Sequence, residues 1–154
     1  MSLDEINNYI KVNERLGTSG QPLASQFAAI HEAGYQTLVN LATPDSKGSV
    51  PNEGEIVTSF GMTYVHIPVV WTAPQVADWE QFAALLNANV RRIHAHCVVN
   101  MRVSAFTFLY RIIHQDIDPV EAKSLMEQIW TPNGVWEEFV DEVLSKHGVD
   151  YFSI

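Results

Sequence analysis

The sequence has a single cysteine among its 154 residues, so no disulfide can form within the chain. A lone cysteine is either a small, inert core residue or a reactive thiol. Basic residues are also scarce. Nine Lys and Arg stand against eighteen Asp and Glu, a formal net charge of −9. That balance excludes a broad basic face, and with it a general nucleic-acid or polyanion binder. It leaves room for a small, locally positive pocket. Long apolar runs are missing too. The most apolar helical candidate, around Val103–Ile113, is interrupted by Ser104, Thr107 and Arg111, far short of the roughly 18 apolar residues of a membrane span. The opening Met1-Ser2-Leu3-Asp4-Glu5 has no basic region followed by an apolar stretch, so it does not read as a secretion signal and a cytoplasmic location is expected. There is no internal repeat, low-complexity tract or linker. What is present is 47 % hydrophobic and 18 % charged, a globular composition. One domain over residues 1–154 is expected, long enough to bury roughly 70 % of its unfolded surface.

Strand and helix signals alternate along the chain. Ile10–Leu16 reads as a short strand, and Gly17-Thr18-Ser19-Gly20-Gln21-Pro22 as a turn with Pro22 opening a helix. Leu23, Phe27 and Ile30 keep helical spacing up to Gly34. Thr37–Leu41 is an apolar strand, and Ala42–Asn52 is a loop. A helix is predicted over Glu53–Phe60, a strand over Thr63–Ile67, a helix from Val76 to Val90, and a strand over Arg92–His96. The nearly all-apolar helix that follows carries Ser104, Thr107, Arg111 and His114 on one narrow stripe, leaving its other faces for burial. Asp118-Pro119-Val120-Glu121 has the form of a helix start with Asp118 as capping acceptor. Thr131-Pro132 opens a last helix, with Trp136, Phe139, Val140, Val143 and Leu144 as its apolar face. This order predicts a three-layer α/β domain, a mostly parallel central sheet flanked by helices. Ligands in such sheets collect at the carboxyl ends of strands, and Cys97 lies at one.

Four residues, Val98, Val99, Asn100 and Met101, connect Cys97 to Arg102. A tight loop before a helix N-terminus turns backbone N–H groups inward. The helix dipole adds partial positive charge, and an arginine adds a fixed cation with fork geometry. Such a field suits a tetrahedral oxyanion and equally favours a thiolate, which makes Cys97 a candidate nucleophile.

The strand, His96-Cys97, the short loop, Arg102 and the buried helix resemble the cysteine-dependent protein tyrosine and dual-specificity phosphatases. Further blocks narrow the resemblance: Thr18-Ser19-Gly20-Gln21-Pro22, Glu32-Ala33-Gly34-Tyr35, Val39-Asn40-Leu41 with Pro44-Asp45, and Tyr64-Val65-His66-Ile67-Pro68-Val69. Together they are similar to a bacterial phosphatase-like family first described as a domain of unknown function, which includes the phosphatase-like domain found beside beta-lactamase hydrolase-like proteins. The similarity runs over about Asn13–His114. It implies a dual-specificity-phosphatase-like fold and a hydrolase in which Cys97 attacks phosphorus and forms a thiophosphate. The N–H groups of Val98, Val99, Asn100, Met101 and Arg102, with the Arg102 guanidinium, would hold the oxygens. His96 would tune the thiol from the strand side. No cofactor or metal is implied. The partner would be a phosphorylated substrate, or free phosphate or sulfate.

The chain departs from that pattern at three places. Four residues rather than five separate Cys97 from Arg102, and Asn100 stands where glycine is expected; asparagine is the next most tolerant residue of a left-handed backbone. A Cys loop of this length is also found in rhodanese-type sulfurtransferases, whose smaller cradle holds a persulfide. Val103, not Ser or Thr, follows the arginine, and Ser104 sits about 100° further round the helix. No aspartate follows Ile67-Pro68 at short range, so the candidates for general acid are Asp78, in the next helix, and Asp45, in the long loop. Sulfur transfer and a non-catalytic oxyanion-binding module are therefore the alternatives to phosphoester hydrolysis. His94 and His96 share a strand face, as the start of a zinc site would, but no third ligand follows at useful spacing. They are expected to be packed or hydrogen-bonded. Trp71 is the one tryptophan placed to line the pocket.

Overall fold

The computed structural model describes residues 2–154. Its strands are β1 (Ile10–Lys11), β2 (Leu16–Ser19), β3 (Thr37–Asn40), β4 (Thr63–His66) and β5 (Ile93–His96). They form one sheet in the order β1-β2-β5-β3-β4. β2, β5, β3 and β4 run parallel, and β1 closes one edge antiparallel. The helices are α1 (Phe27–Glu32), α2 (Glu53–Ser59), α3 (Val76–Ala88), α4 (Met101–His114), α5 (Pro119–Met126) and α6 (Val135–Lys146). Among the described residues, no helix is long and apolar enough to cross a membrane.

β5 lies at the centre and is buried along its whole length, as parallel strands covered on both faces are. Strand alternation then sorts its side chains. Ile93 and Ala95, with Cys97 just beyond, join the larger core with Phe82, Phe106, Trp136 and Leu144. His94 and His96 turn to the opposite face, against Tyr9, Tyr35 and Phe27. There a second core is built from Ile6, Phe27, Ile30, Tyr35, Leu38 and Val57. The result is the expected three-layer arrangement, with α3 to α6 on one face and α1 and α2 on the other.

Several local expectations change. Ile10–Leu16 is not one strand: the chain pairs at Ile10–Lys11, turns, and resumes at Leu16. The Asn13 side chain makes the turn, its Oδ1 accepting from Arg15 N at 2.8 Å and Leu16 N at 3.0 Å. Gly17-Thr18-Ser19 is strand rather than turn, because parallel pairing with β5 overrides its weak strand propensity. Gly17 is needed there, since a Cβ would lie 2.6 Å from Tyr35 Oη and 3.0 Å from His94 Nδ1. The first helical segment opens at Ala24 as a 3-10 turn, not at Pro22. α3 stops at Ala88, leaving Val90 exposed. Asp118 makes no side-chain capping bond, so Pro119 at the first position carries the start of α5. α6 begins at Val135, after Gly134 with φ 57°, rather than at Thr131-Pro132. Finally, the polar stripe of α4 is not solvated: Ser104, Thr107 and Arg111 are buried, with α5 packed against the helix.

Candidate active site

Cys97 is the first residue beyond β5, and its N–H donates to Ser19 O at 3.3 Å. The loop after it is pulled outward by its carbonyls. Val98 O accepts from Gln21 N at 2.9 Å and Asn7 Nδ2 at 3.3 Å, and Val99 O from Asn8 Nδ2 at 2.9 Å. Asn100 takes the left-handed conformation, φ 71° and ψ 3°, as its residue type allows. Its side chain donates to Asn8 O at 2.9 Å and Thr18 Oγ1 at 3.1 Å. Among the described residues, no backbone acceptor takes the N–H groups of Val98, Val99 or Asn100. Free N–H groups in successive residues, at the N-terminus of a fourteen-residue helix, form an arrangement chemically suited to an anion.

A cleft of about 160 Å³ opens over this loop, lined by Trp71, Cys97, Val98, Val99, Met101 and Arg102. Cys97, 1 % exposed, belongs to its floor. Arg102 is buried, and its Nη1 donates to Val69 O at 2.8 Å. Its guanidinium carbon lies 6.0 Å from the Trp71 ring. Trp71 is itself fixed by tryptophans from two other segments, Trp130 and Trp136, at 5.4 and 5.5 Å between centroids. Trp136 Nε1 donates to Trp71 O at 2.7 Å. The apolar wall and the cation under it are thus held by the main core. A larger cavity of about 330 Å³ lies against Leu16 and Ile93, at the other ends of β2 and β5. Size alone would choose it, but it holds no nucleophile.

Gly20 supports the loop from below. A Cβ there would meet Val98 O at 2.5 Å and Asn7 Nδ2 at 2.6 Å. Gly20→Ala is therefore expected to cost about 1–3 kcal/mol of stability by overpacking and to weaken sulfate or phosphate binding by displacing the loop. Urea unfolding and calorimetric anion titration check both; an unchanged affinity would show that the loop tolerates the shift.

On the other face of β5, the sequence reading missed a partner. Glu53, the first residue of α2, is 6 % exposed. Its Oε2 lies 2.7 Å from His96 Nε2, and its Oε1 accepts from Gln21 Nε2 at 2.7 Å. His96 Nδ1 lies 3.1 Å from Cys97 O. The imidazole thus reaches the carbonyl of Cys97 from beneath the strand. Burial pushes the Glu53 carboxyl up, but hydrogen bonds from His96, Gln21 and Tyr64 and the His96 charge outweigh it and hold it below its ordinary value. No spacing signal marks Glu53: it reads as an ordinary first-turn glutamate after a loop. His94 serves differently, with Nε2 2.8 Å from Ser19 Oγ and its ring between Tyr9 and Tyr35.

The structure does not bring the aspartates to the cleft. Asp45 is exposed on the long loop, and Asp78 sits half-buried in the first turn of α3; neither lines it. Burial pushes the Asp78 carboxyl up from its ordinary value. Ser104 Oγ donates to Met101 O at 3.0 Å, and it too is absent from the lining. Among the described residues, no three His, Cys, Asp or Glu side chains cluster as a metal site would require.

No family model matches the chain. Over 118 residues it is 28 % identical to a beta-lactamase hydrolase-like protein of Xylella fastidiosa, a match covering 73 % of this chain and 27 % of that protein. The chain thus spans about a quarter of the length of the curated relatives it matches. A crystal structure of a DUF442 protein from Shewanella putrefaciens CN-32, described as a candidate phosphatase, superposes with a TM-score of 0.84 at 32 % identity, covering 94 % of this chain and 95 % of the other. The phosphatase Tk-PTP, in its G95A form, superposes with a TM-score of 0.78 at 14 % identity, covering 92 % and 97 % of the two chains. That likeness concerns the fold alone.

Proposed function

Because the chain belongs to the DUF442 family of phosphatase-like proteins, we propose that it is a thiol-dependent phosphohydrolase with Cys97 as nucleophile and Arg102 as oxyanion ligand. One observation carries the reading. A thiol and a guanidinium share a single small cleft with loop N–H groups that no backbone group among the described residues uses. Cys97 Sγ attacks phosphorus, the ester oxygen leaves with the bonding pair, and a thiophosphate forms. Water then attacks phosphorus, phosphate departs, and the thiolate returns. The N–H groups of Val98, Val99, Asn100 and Met101, with Arg102, balance the equatorial oxygens through the loose transition state. His96 places Nε2 against the Glu53 carboxylate and Nδ1 against the Cys97 carbonyl, across the strand from the thiol. With no carboxylate lining the cleft, the substrates it favours are esters whose leaving group departs as a stable anion, aryl phosphates among them. Asp78 and Asp45 serve as acid only if the bound substrate draws one of them in.

A second reading is favoured by two observations: the loop from Cys97 to Arg102 is short, and Ser104 Oγ is committed to Met101 O. Sulfur transfer needs neither a proton donor nor that hydroxyl. The Cys97 thiolate takes the outer sulfur of thiosulfate, the S–S bond breaks, and sulfite leaves as an anion with the bonding pair. A thiol or cyanide then removes the sulfur from the persulfide.

Intact-mass analysis after a rapid quench separates the readings. With an aryl phosphate, a phosphoryl adduct on Cys97 and steady release of phosphate are expected. A single added sulfur from thiosulfate, with no phosphoryl adduct at any pH tested, overturns the hydrolase in favour of sulfur transfer. Anion binding without either adduct leaves a binding module.

A further inference from the structure

Glu53 is a buried carboxylate to which the proposed reaction gives no task. It opens α2, 6 % exposed, against the face of β5 that carries His96. A charge in such a place is costly unless its oxygens find donors. Side chains from three segments supply them: His96 of β5, Gln21 just after β2 and Tyr64 of β4. Two of these donors lead on to the Cys97 loop. His96 Nδ1 lies 3.1 Å from Cys97 O. A carbonyl oxygen only accepts, so Nδ1 carries a proton there, and the proton between Nε2 and Oε2 belongs to the His96–Glu53 pair. Gln21 is held at its side chain by Glu53 Oε1 at 2.7 Å, and its backbone N–H donates to Val98 O at 2.9 Å. The next carbonyl, Val99 O, is taken by Asn8, which belongs to neither path.

A trans peptide unit is planar and rigid, so its C=O and its N–H point in opposite directions. The described chain has no cis peptide bond. Fixing Cys97 O against His96 therefore turns the N–H of Val98 away from His96. Fixing Val98 O against Gln21 turns the N–H of Val99 away in the same manner. These are two of the N–H groups that no backbone acceptor takes among the described residues. We propose that Glu53 is a positioning residue for the loop: through His96 and Gln21 it holds two successive carbonyls outward and so aims the Val98 and Val99 N–H groups at the bound oxyanion. The role rests on reading the loop as an oxyanion cradle, whichever of the two reactions the cradle serves. A carboxylate kept only for stability needs donors, but not donors that end on consecutive carbonyls of one loop. The residue type also fits, because one oxygen serves each path: Oε2 faces His96 and Oε1 faces Gln21. Glutamine can serve both as well. Its oxygen accepts from Gln21, and its N–H donates to His96 Nε2, which leaves the Nδ1 proton on Cys97 O. Leucine serves neither.

Calorimetric titration of the full chain with inorganic phosphate, followed in parallel by amide NMR spectra, tests the role. Phosphate should shift the Val98, Val99 and Asn100 amides of the wild type. In Glu53→Leu the Val98 and Val99 responses should be lost while that of Asn100 persists, and affinity should fall about tenfold or more. Glu53→Gln should keep both responses and stay within about threefold of the wild-type affinity. Gln21→Met cuts one path at a half-buried position, so it carries the test even if Glu53→Leu does not fold. It should lose the Val99 response and keep that of Val98. A lowered Tm with unchanged affinity and amide responses marks a purely structural glutamate and overturns the proposal. An unchanged Val99 response in Gln21→Met overturns it too, as does a Glu53→Gln variant as impaired as Glu53→Leu. A wild type that binds no phosphate is a different failure: it overturns the cradle itself, and this role with it.

Discussion

Replacing Cys97 with serine is expected to lower the rate of transfer from an aryl phosphate by at least about 10⁴-fold, while phosphate or sulfate still binds. The two halves follow from different atoms. In the proposed reaction the nucleophile is the sulfur alone; a serine hydroxyl with no base beside it is not ionised near neutral pH. No carboxylate lines the cleft, and the imidazole of His96 lies on the opposite face of β5, spent on Glu53 and the Cys97 carbonyl. Nothing near the serine would take its proton. The proposed anion cradle is made of other groups: loop N–H groups, the α4 N-terminus and Arg102, which is fixed by Val69 O and packed near Trp71. The substitution removes little volume at a site 1 % exposed, so those groups should keep their places. Stopped-flow release of the aryl alcohol and calorimetric binding of phosphate measure the two halves. Activity retained within about tenfold would show that Cys97 is not the nucleophile. Loss of activity together with loss of anion binding would show instead that the loop had collapsed.

The contrast with Arg102 sharpens this result. Arg102→Met should weaken anion binding and transfer together, because in the proposed reaction the guanidinium touches the oxyanion in the ground state as well as the transition state. A variant that bound phosphate normally but did not react would place Arg102 outside the cradle.

The sequence made the Cys97–Arg102 loop legible because its chemistry is contiguous. Strand end, thiol, tight turn and arginine follow one another, and Asn100 marks the left-handed turn by residue type. The alternation of strands and helices along the chain was legible for a similar reason, since hydrophobic period and turn residues are local signals. Contacts made across the fold were not. Glu53 stands 43 positions from His96 and meets it only because β3, its long loop and α2 bring it under β5. The Trp71 wall is assembled from three separate segments. The stripe of Ser104, Thr107 and Arg111 was visible as a stripe, but periodicity tells which residues share a face, not what covers it. Here α5 does, and a stripe that reads as solvated is buried. The start of α5 was legible at Asp118-Pro119, although Asp118 makes no bond to the helix N-terminus; α6 instead waits for the turn at Gly134.

Acid is expected to destabilise the protein well before most carboxylates protonate, and His94 is the reason. Its ring is fully buried beside Tyr9 and Tyr35. Ser19 Oγ donates to Gly20 O at 2.7 Å, so it accepts from His94 Nε2–H at 2.8 Å, which leaves Nδ1 as a buried lone pair with no partner. A second proton on Nδ1 would place an unpaired charge in the core. Burial first, and then the charge of His96, lower the His94 pKa from 6.5 to about 3. The sign is fixed by that direction. The unfolded chain takes up the proton as pH falls below 6.5, and the folded chain refuses it until pH nears 3. The stability that His94 contributes is complete above the unfolded value and is lost progressively between the two, about 3 kcal/mol by about pH 4. Glu53 adds its own loss only below the ordinary carboxylate value of 4.5, as pH falls toward its lowered folded value, so the upper part of the window belongs to His94. His94→Gln keeps a side-chain N–H for Ser19 Oγ and has nothing to protonate. Urea unfolding across this window should show a falling ΔG in the wild type and a much flatter profile in the variant down to about pH 5. An equal slope in both proteins would assign the acid sensitivity to other groups.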